Sequence, residues 1–201
     1  MMEPLRTHTG TALPLPRADV DTDQIIPKQF LKRVERSGYG RYLFNDWRYG
    51  PEGEPRHDFV LNRPEMESAS ILVAGANFGC GSSREHAAWA LRDYGFRVVI
   101  ASSFADIFRQ NADQNGIATI ELPDATVRSL LRRAEDEAPY QLTVDLESRV
   151  LAGGDGLRLA FTMDSFRRRC LMEGLDQIAR TLQHDEAIAA YEARRDEILH
   201  F

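Results

Sequence analysis

Between Ile71 and Tyr94 the chain changes its pattern twice, and this constrains the fold more than any other stretch. Ile71-Leu72-Val73-Ala74-Gly75 is short, continuous and apolar, which suits a strand covered on both faces. From Arg84 to Tyr94, the residues Ala87, Ala88, Leu91 and Tyr94 recur at helical spacing. Joining them is Phe78-Gly79-Cys80-Gly81-Ser82-Ser83-Arg84-Glu85-His86-Ala87, a loop of small, flexible and reactive side chains at the carboxyl end of a strand and the amino end of a helix.

The same alternation continues downstream. Arg97 to Ser102 reads as a strand, and Phe104 to about Asn115 as a helix that Gly116 stops. Ile117 to Glu121 follows as a strand, and Asp124 is placed to cap a helix that carries Val127, Leu130, Leu131 and Ala134 on one face. Strands alternating with helices define an α/β fold around a mostly parallel sheet. Two later strands, Gln141 to Leu146 and Leu157 to Phe161, flank the turn Gly153-Gly154-Asp155-Gly156 as a hairpin. Leu171, Leu175, Ile178 and Leu182 share a helical face, and Asp185 to Ile198 forms a further helix that packs on the domain or on a partner. With 201 residues and 43% hydrophobic content the expectation is one domain over residues 1–201, its helical C-terminal extension starting at about residue 165. Ahead of the first apolar run, Thr9 to Pro16 leads into the acidic turn Asp19-Val20-Asp21-Thr22-Asp23-Gln24-Ile25-Ile26-Pro27, and residues 37–58 read as a long ordered loop.

Charge and cysteine content exclude several functions. A formal charge of −6 gives no overall attraction to nucleic acid or to an anionic membrane. Met1 to Arg6 contains no apolar signal core, and no run approaches the ~20 apolar residues that span a bilayer, so a soluble cytoplasmic protein is expected. Cys80 and Cys170 are too few and too far apart for a secreted disulfide framework, and reduced thiols are expected. An iron–sulfur cluster held by one chain wants three or four thiolates, so any such chemistry must come from elsewhere.

The loop itself is suited to anions. Free amide hydrogens and the helix dipole favour a negative group there, while Gly79 and Gly81 let the backbone approach it. Arg84 adds a planar two-pronged donor for a carboxylate or phosphate. A serine before a helix is by itself an ordinary cap, but Ser82 and Ser83 lie between glycines and an arginine, an electropositive setting that can activate a hydroxyl. Glu85 and His86, in the first helical turn, read as capping and packing, and Cys80 as a small packing residue without an orienting His-Asp pair. Cys170 is read as inert. Asp19 and Asp21 read as turn-stabilising, since the run lacks the glycine and terminal glutamate of a calcium loop. Lys32, Arg33 and Arg36 alone make a solvated basic face, Arg167-Arg168-Arg169 reads as surface charge, and Trp47 with its aromatic neighbours reads as packing.

Gly81-Ser82-Ser83-Arg84-Glu85-His86 resembles the signature of the swivelling domain of the aconitase superfamily. Asp21 to Phe30, Leu43 to Arg48, Ser102 to Phe108, Phe166-Arg167-Arg168 and Leu182 to Glu192 are similar to segments of its isopropylmalate isomerase small subunits, so the resemblance covers nearly the whole chain. It implies a swivelling β/β/α domain that pairs with a separate large subunit, the holder of a 4Fe-4S cluster, with the active site between the two chains. The implied reaction interconverts 2-isopropylmalate and 3-isopropylmalate through isopropylmaleate in leucine biosynthesis. One cluster iron would act on the departing hydroxyl as a Lewis acid, while a serine alkoxide removes the proton beside a carboxylate. Ser82 matches the base position, Ser83 and Arg84 match substrate-carboxylate contacts, and Asp23 falls at an acidic position near the catalytic centre. Of Arg33, Arg36 and Arg41, the residue assigned to substrate is Arg33.

Two alternatives stand beside this reading. One is a homoaconitase-like or methylmalate-type hydro-lyase small subunit, with specificity set by the 30–50 loop, where Tyr39, Tyr42, Leu43 and Phe44 favour an apolar substrate arm. The other is a non-catalytic anion-binding module that uses the glycine loop alone.

Overall fold

The structure, a computed structural model, describes residues 2–31 and 37–199, with side chains described through Arg195. Seven strands form one sheet: β1 (Thr7–Leu15), β2 (Ala69–Ala74), β3 (Val98–Ala101), β4 (Ala118–Glu121), β5 (Gln141–Asp145), β6 (Val150–Gly153) and β7 (Arg158–Ala160), in the order β4-β3-β2-β1-β5-β6-β7. Strands β1 to β4 pair in parallel. From β1 outward the pairs β1–β5, β5–β6 and β6–β7 are antiparallel, so β1 joins the two halves.

The continuous apolar run of β2 is explained by burial on both faces. Leu72 and Ala74 point into one core with α3 (Glu85–Tyr94) and α4 (Asp106–Gln114), while Ile71 and Val73 point into a second with α5 (Asp124–Asp136). Before β2 the chain makes α1 (Thr22–Ile25) and α2 (Asn45–Arg48), and after β7 it ends in α6 (Ser165–Glu173), α7 (Gln177–Leu182) and α8 (Asp185–Leu199).

Four readings of the sequence change. Thr7 to Leu15, which shows little apolar periodicity, is the central strand β1, and its last five residues are fully enclosed between β2 and the cores. The glycine turn joins β6 to β7, not Gln141–Leu146 to the last strand; β6 is only four residues long and runs directly into the turn, so the hairpin is a three-stranded meander. Asp124 does not cap α5: it is the first helical residue after Pro123, and its carboxylate pairs with Arg128 one turn on. The shared face from Leu171 to Leu182 is interrupted, because Gly174 takes a left-handed conformation and separates α6 from α7; Leu171 stays buried and Ile178 is 71% exposed.

Candidate active site

The loop between β2 and α3 is held from two sides. Phe78 bridges to Phe104, donating its N–H to the Ser103 carbonyl (3.1 Å) and accepting from Ala105 N–H (3.1 Å), which delays the start of α4 to Asp106. From the other side Gly79 N–H donates to the Val20 carbonyl (2.7 Å) and Thr22 N–H to the Cys80 carbonyl (2.9 Å). The acidic turn therefore packs against the glycine loop, two segments far apart in sequence. Gly79 has φ +78°, and a Cβ there would overlap the Phe108 ring, so only glycine fits between loop and helix.

The three acidic residues of the turn divide by role. Asp21 caps α1, accepting from Gln24 N–H at 2.7 Å, while the Gln24 side chain accepts from Asp21 N–H at 3.0 Å. Asp19 accepts from the Asn77 side-chain amide at 2.8 Å. Both are structural, as expected from the sequence. Asp23, one residue into the helix, turns to Arg84 instead.

Around that contact the functional side chains meet. Arg84, with only 18% of its side chain exposed, donates one prong to the Asp23 carboxylate and the other to Ser82 Oγ at 3.3 Å. The Arg84 hydrogen bond holds the Asp23 carboxyl below the usual carboxylate range, against the opposing effect of its partial burial. Ser82 and Ser83 are exposed. Neither caps α3: its N-cap is Arg84, in extended conformation and without a side-chain cap bond. The ordinary capping role is therefore not theirs, and the helix end keeps its favourable field for an anion. Thr22, Gly81, Ser82, Ser83, Arg84 and Ile107 are among the residues lining a cleft of about 290 Å³ at this point.

Thr22 has a role that the sequence does not announce. Its side chain is buried, and Oγ1 donates to the Ser82 carbonyl at 2.9 Å, which fixes the peptide carrying Ser82. Only the position of Thr22 between Asp21 and Asp23 hints at it. Arg33 and Arg36 lie outside the described residues. Arg41 sits over the Tyr42 ring at 4.7 Å and lines a separate groove with Arg48 and Asp93.

The neighbouring polar groups are structural. Glu85 accepts from the Asn115 amide at 3.0 Å. His86 packs against Tyr39 and Trp89, and burial pushes its imidazole below its ordinary value. Burial, aided by Asp21 and Asp19, pushes the Cys80 thiol up, the opposite of an activated thiolate. Cys170 is buried and both cysteines are free thiols. Trp47 stacks on Phe44 with Arg17 over its ring at 4.5 Å. Tyr39, Leu43 and Phe44 are fully buried, so these three line the core and not a substrate arm. Arg167 also departs from expectation: it donates to both Asp113 oxygens and to Thr119 Oγ1 at 2.6 Å, an inward ion pair between α6 and α4. Arg168 donates to the carbonyl of Glu147 at 2.9 Å.

The chain contains two cysteines, fewer than the three or four thiolates taken by an iron–sulfur cluster held by one chain, and among the described residues no group of three or more His, Cys, Asp or Glu is disposed to hold a metal ion.

A parallel-edge sheet with a Gly-Ser-Ser-Arg loop between strand and helix defines an aconitase-type swivelling domain, and residues 2–125 match the family model of the aconitase C-terminal domain. Residues 128–165 match the LeuD_N model, and 178–197 that of the C-terminal domain of 3-isopropylmalate dehydratase small subunits. A 3-isopropylmalate dehydratase small subunit from Koribacter versatilis is 56% identical, covering 95% of this chain and 98% of its own length. One from Bacillus subtilis is 52% identical, over 96% and 97%. The crystal structure of 3-isopropylmalate dehydratase (LeuD) from Methanocaldococcus jannaschii superposes with a TM-score of 0.65 at 25% identity, covering 92% of this chain and 99% of that one. The chain belongs to the family of 3-isopropylmalate dehydratase small subunits.

Proposed function

We propose that this chain supplies the base and the carboxylate-binding loop of a heteromeric hydro-lyase that isomerises 2-isopropylmalate and 3-isopropylmalate through isopropylmaleate in leucine biosynthesis. The observation that carries the reading is the placement of Arg84, which touches Ser82 Oγ with one prong while Asp23 holds the other. A guanidinium on a serine hydroxyl favours negative charge at Oγ. As alkoxide, Ser82 takes the proton from the carbon beside a substrate carboxylate while the C–O bond on the neighbouring carbon breaks and its hydroxyl leaves; on rehydration hydroxyl adds to the first carbon and Ser82 returns the proton to the second, so composition is unchanged. Ser83 and Arg84 hold a carboxylate of the substrate, Arg84 through the guanidinium N–H groups that its contacts with Asp23 and Ser82 do not use. Asp23 fixes the Arg84 plane, and Arg33, which lies outside the described residues, is the further substrate-binding residue of this reading.

The partner in this reading is a large subunit, which holds the 4Fe-4S cluster that this chain does not fit; the complex works in the cytoplasm. Within it the chain acts as one swivelling unit, with a helical extension that begins at about residue 165. The loop-based preference for an isopropyl arm over the homoaconitase-like alternative is lost, because Tyr39, Leu43 and Phe44 serve the core; isopropylmalate is favoured instead by the relatives that the chain resembles. A binding module without chemistry would not need a hydroxyl on the guanidinium.

The test is anaerobic reconstitution with the large subunit, following isopropylmaleate from 3-isopropylmalate by ultraviolet absorbance. Turnover only in the mixture is expected. A stable complex that dehydrates homoisocitrate or a methylmalate in preference would contradict the substrate assignment.

A further inference from the structure

The large hydrophobic side chains that stay exposed are not scattered. Among the described residues they are Ile107, Phe166, Ile178, Leu182, Ile188 and Tyr191, and all but the first lie on the C-terminal helices. Ile178 and Leu182 are one turn apart on α7, at 71% and 61% exposure; Ile188 and Tyr191 are three apart on α8, Tyr191 at 60%. Every residue from Arg180 to Arg195 is exposed. A cluster of exposed large apolar side chains on the terminal helices of one chain marks a surface that another molecule covers.

Two observations indicate what covers it. First, residues 178–197 match a C-terminal domain model belonging to these small subunits, although in this chain the segment contributes almost nothing to the core beyond Ala179. Its contribution therefore lies outside the chain. Second, α7 borders a groove that shares a residue with the candidate active site. Asp106 lines both the cleft of Ser82 and Arg84 and a groove between α4 and α6–α7 whose walls include Phe166 and Arg180. Arg180 stands over the Phe166 ring at 4.5 Å, closing the gap between α6 and α7. On the cleft side Ile107 is 49% exposed next to Asp106.

We infer that α7 and α8 form a docking surface for the large subunit, continuous through Phe166 and Asp106 with the rim of the cleft, so that the subunit seated over Ser82 also covers Ile178, Leu182 and Tyr191. This inference rests on the heteromeric reading above. A second copy of this chain is the competing occupant, but it would not bring a complementary half to the cleft.

The experiment uses the full chain and the large subunit, with affinity measured in the absence of substrate. In one variant Ile178→Asp is combined with Leu182→Asp; in another Tyr191→Ala stands alone. The double variant should weaken the complex at least tenfold and Tyr191→Ala measurably, while the melting temperature of the chain alone stays unchanged, because these side chains are solvent-exposed before docking. Wild-type affinity in both variants would overturn the inference. So would a homodimer of this chain that the substitutions dissolve while affinity for the large subunit is kept. Because binding is read without turnover, a complex that forms normally but acts on a different acid would contradict the substrate reading and leave the docking surface standing.

Discussion

Arg84 and Asp23, 61 positions apart in the chain, are joined by an ion pair at the edge of the cleft, with Arg84 nearly enclosed and Asp23 about half exposed. The pair links the glycine loop to the acidic turn and leaves the second prong of Arg84 on Ser82. An ion pair with one partner this exposed contributes little to folding, on the order of 0.2–1 kcal/mol. Asp23→Asn should therefore change the stability of the chain by less than about 1 kcal/mol. Turnover in the reconstituted enzyme should fall at least tenfold, because the guanidinium loses its fixed plane. Denaturant unfolding and steady-state kinetics on the same preparation check the two halves. A large loss of stability without loss of turnover would make the pair purely structural.

Thr22 acts on Ser82 through the backbone. Removing its hydroxyl leaves the buried side of the Ser82 carbonyl with one donor fewer, a change worth about 1 kcal/mol. Thr22→Val should lower kcat several-fold with little effect on KM, and Thr22→Ser should restore it. Equal kcat in both variants would show that the loop holds Ser82 without this bond.

Gly79 and Gly81 both adopt positive φ, yet their substitutions should differ. At Gly79 an added methyl overlaps the Phe108 ring, so Gly79→Ala combines left-handed strain of about 1–2 kcal/mol with overpacking of about 1–3 kcal/mol. At Gly81 the nearest atom is Asp21 Cβ at 3.3 Å, and Gly81→Ala should cost roughly the strain alone. Thermal unfolding of the two variants gives the comparison; equal losses would contradict the close packing of the loop on α4.

Burial lowers the imidazoles of His8 and His86 below their ordinary value of 6.5. A histidine whose folded value is depressed stabilises the fold fully above its unfolded value, and this contribution is lost as pH falls toward the folded value. The melting temperature of the chain should therefore drop as pH is lowered through 6.5 and below. His8→Gln and His86→Gln should each flatten that slope. An unchanged slope in both variants would assign the acid sensitivity to other groups.

What could be read from the sequence was local. The run Ile71 to Gly75, the glycine loop and the helix after it form one uninterrupted stretch, so period and turn chemistry suffice to place the loop. Ser82 and Arg84 come with that stretch. The strand Thr7 to Leu15 was not legible, since threonine, glycine and proline blur its pattern, and its burial comes from pairing with β2 and β5 far along the chain. The same holds for Thr22, whose partner is the Ser82 carbonyl, and for Arg167, which looks like surface charge until α4 brings Asp113 to it. Gly174 is a helix stop that a continuous apolar spacing from Leu171 to Leu182 conceals.

The most direct test of the account is the kcat of Ser82→Ala in the anaerobically reconstituted heteromer, measured beside the affinity of the two subunits and the melting temperature of the chain. Ser82 is exposed and holds no core contact, so folding and association should be unchanged, while kcat should fall by about 10²–10⁴ as expected for loss of a general base. A kcat within a few-fold of wild type, with the complex intact, would contradict the assignment of the base to this chain.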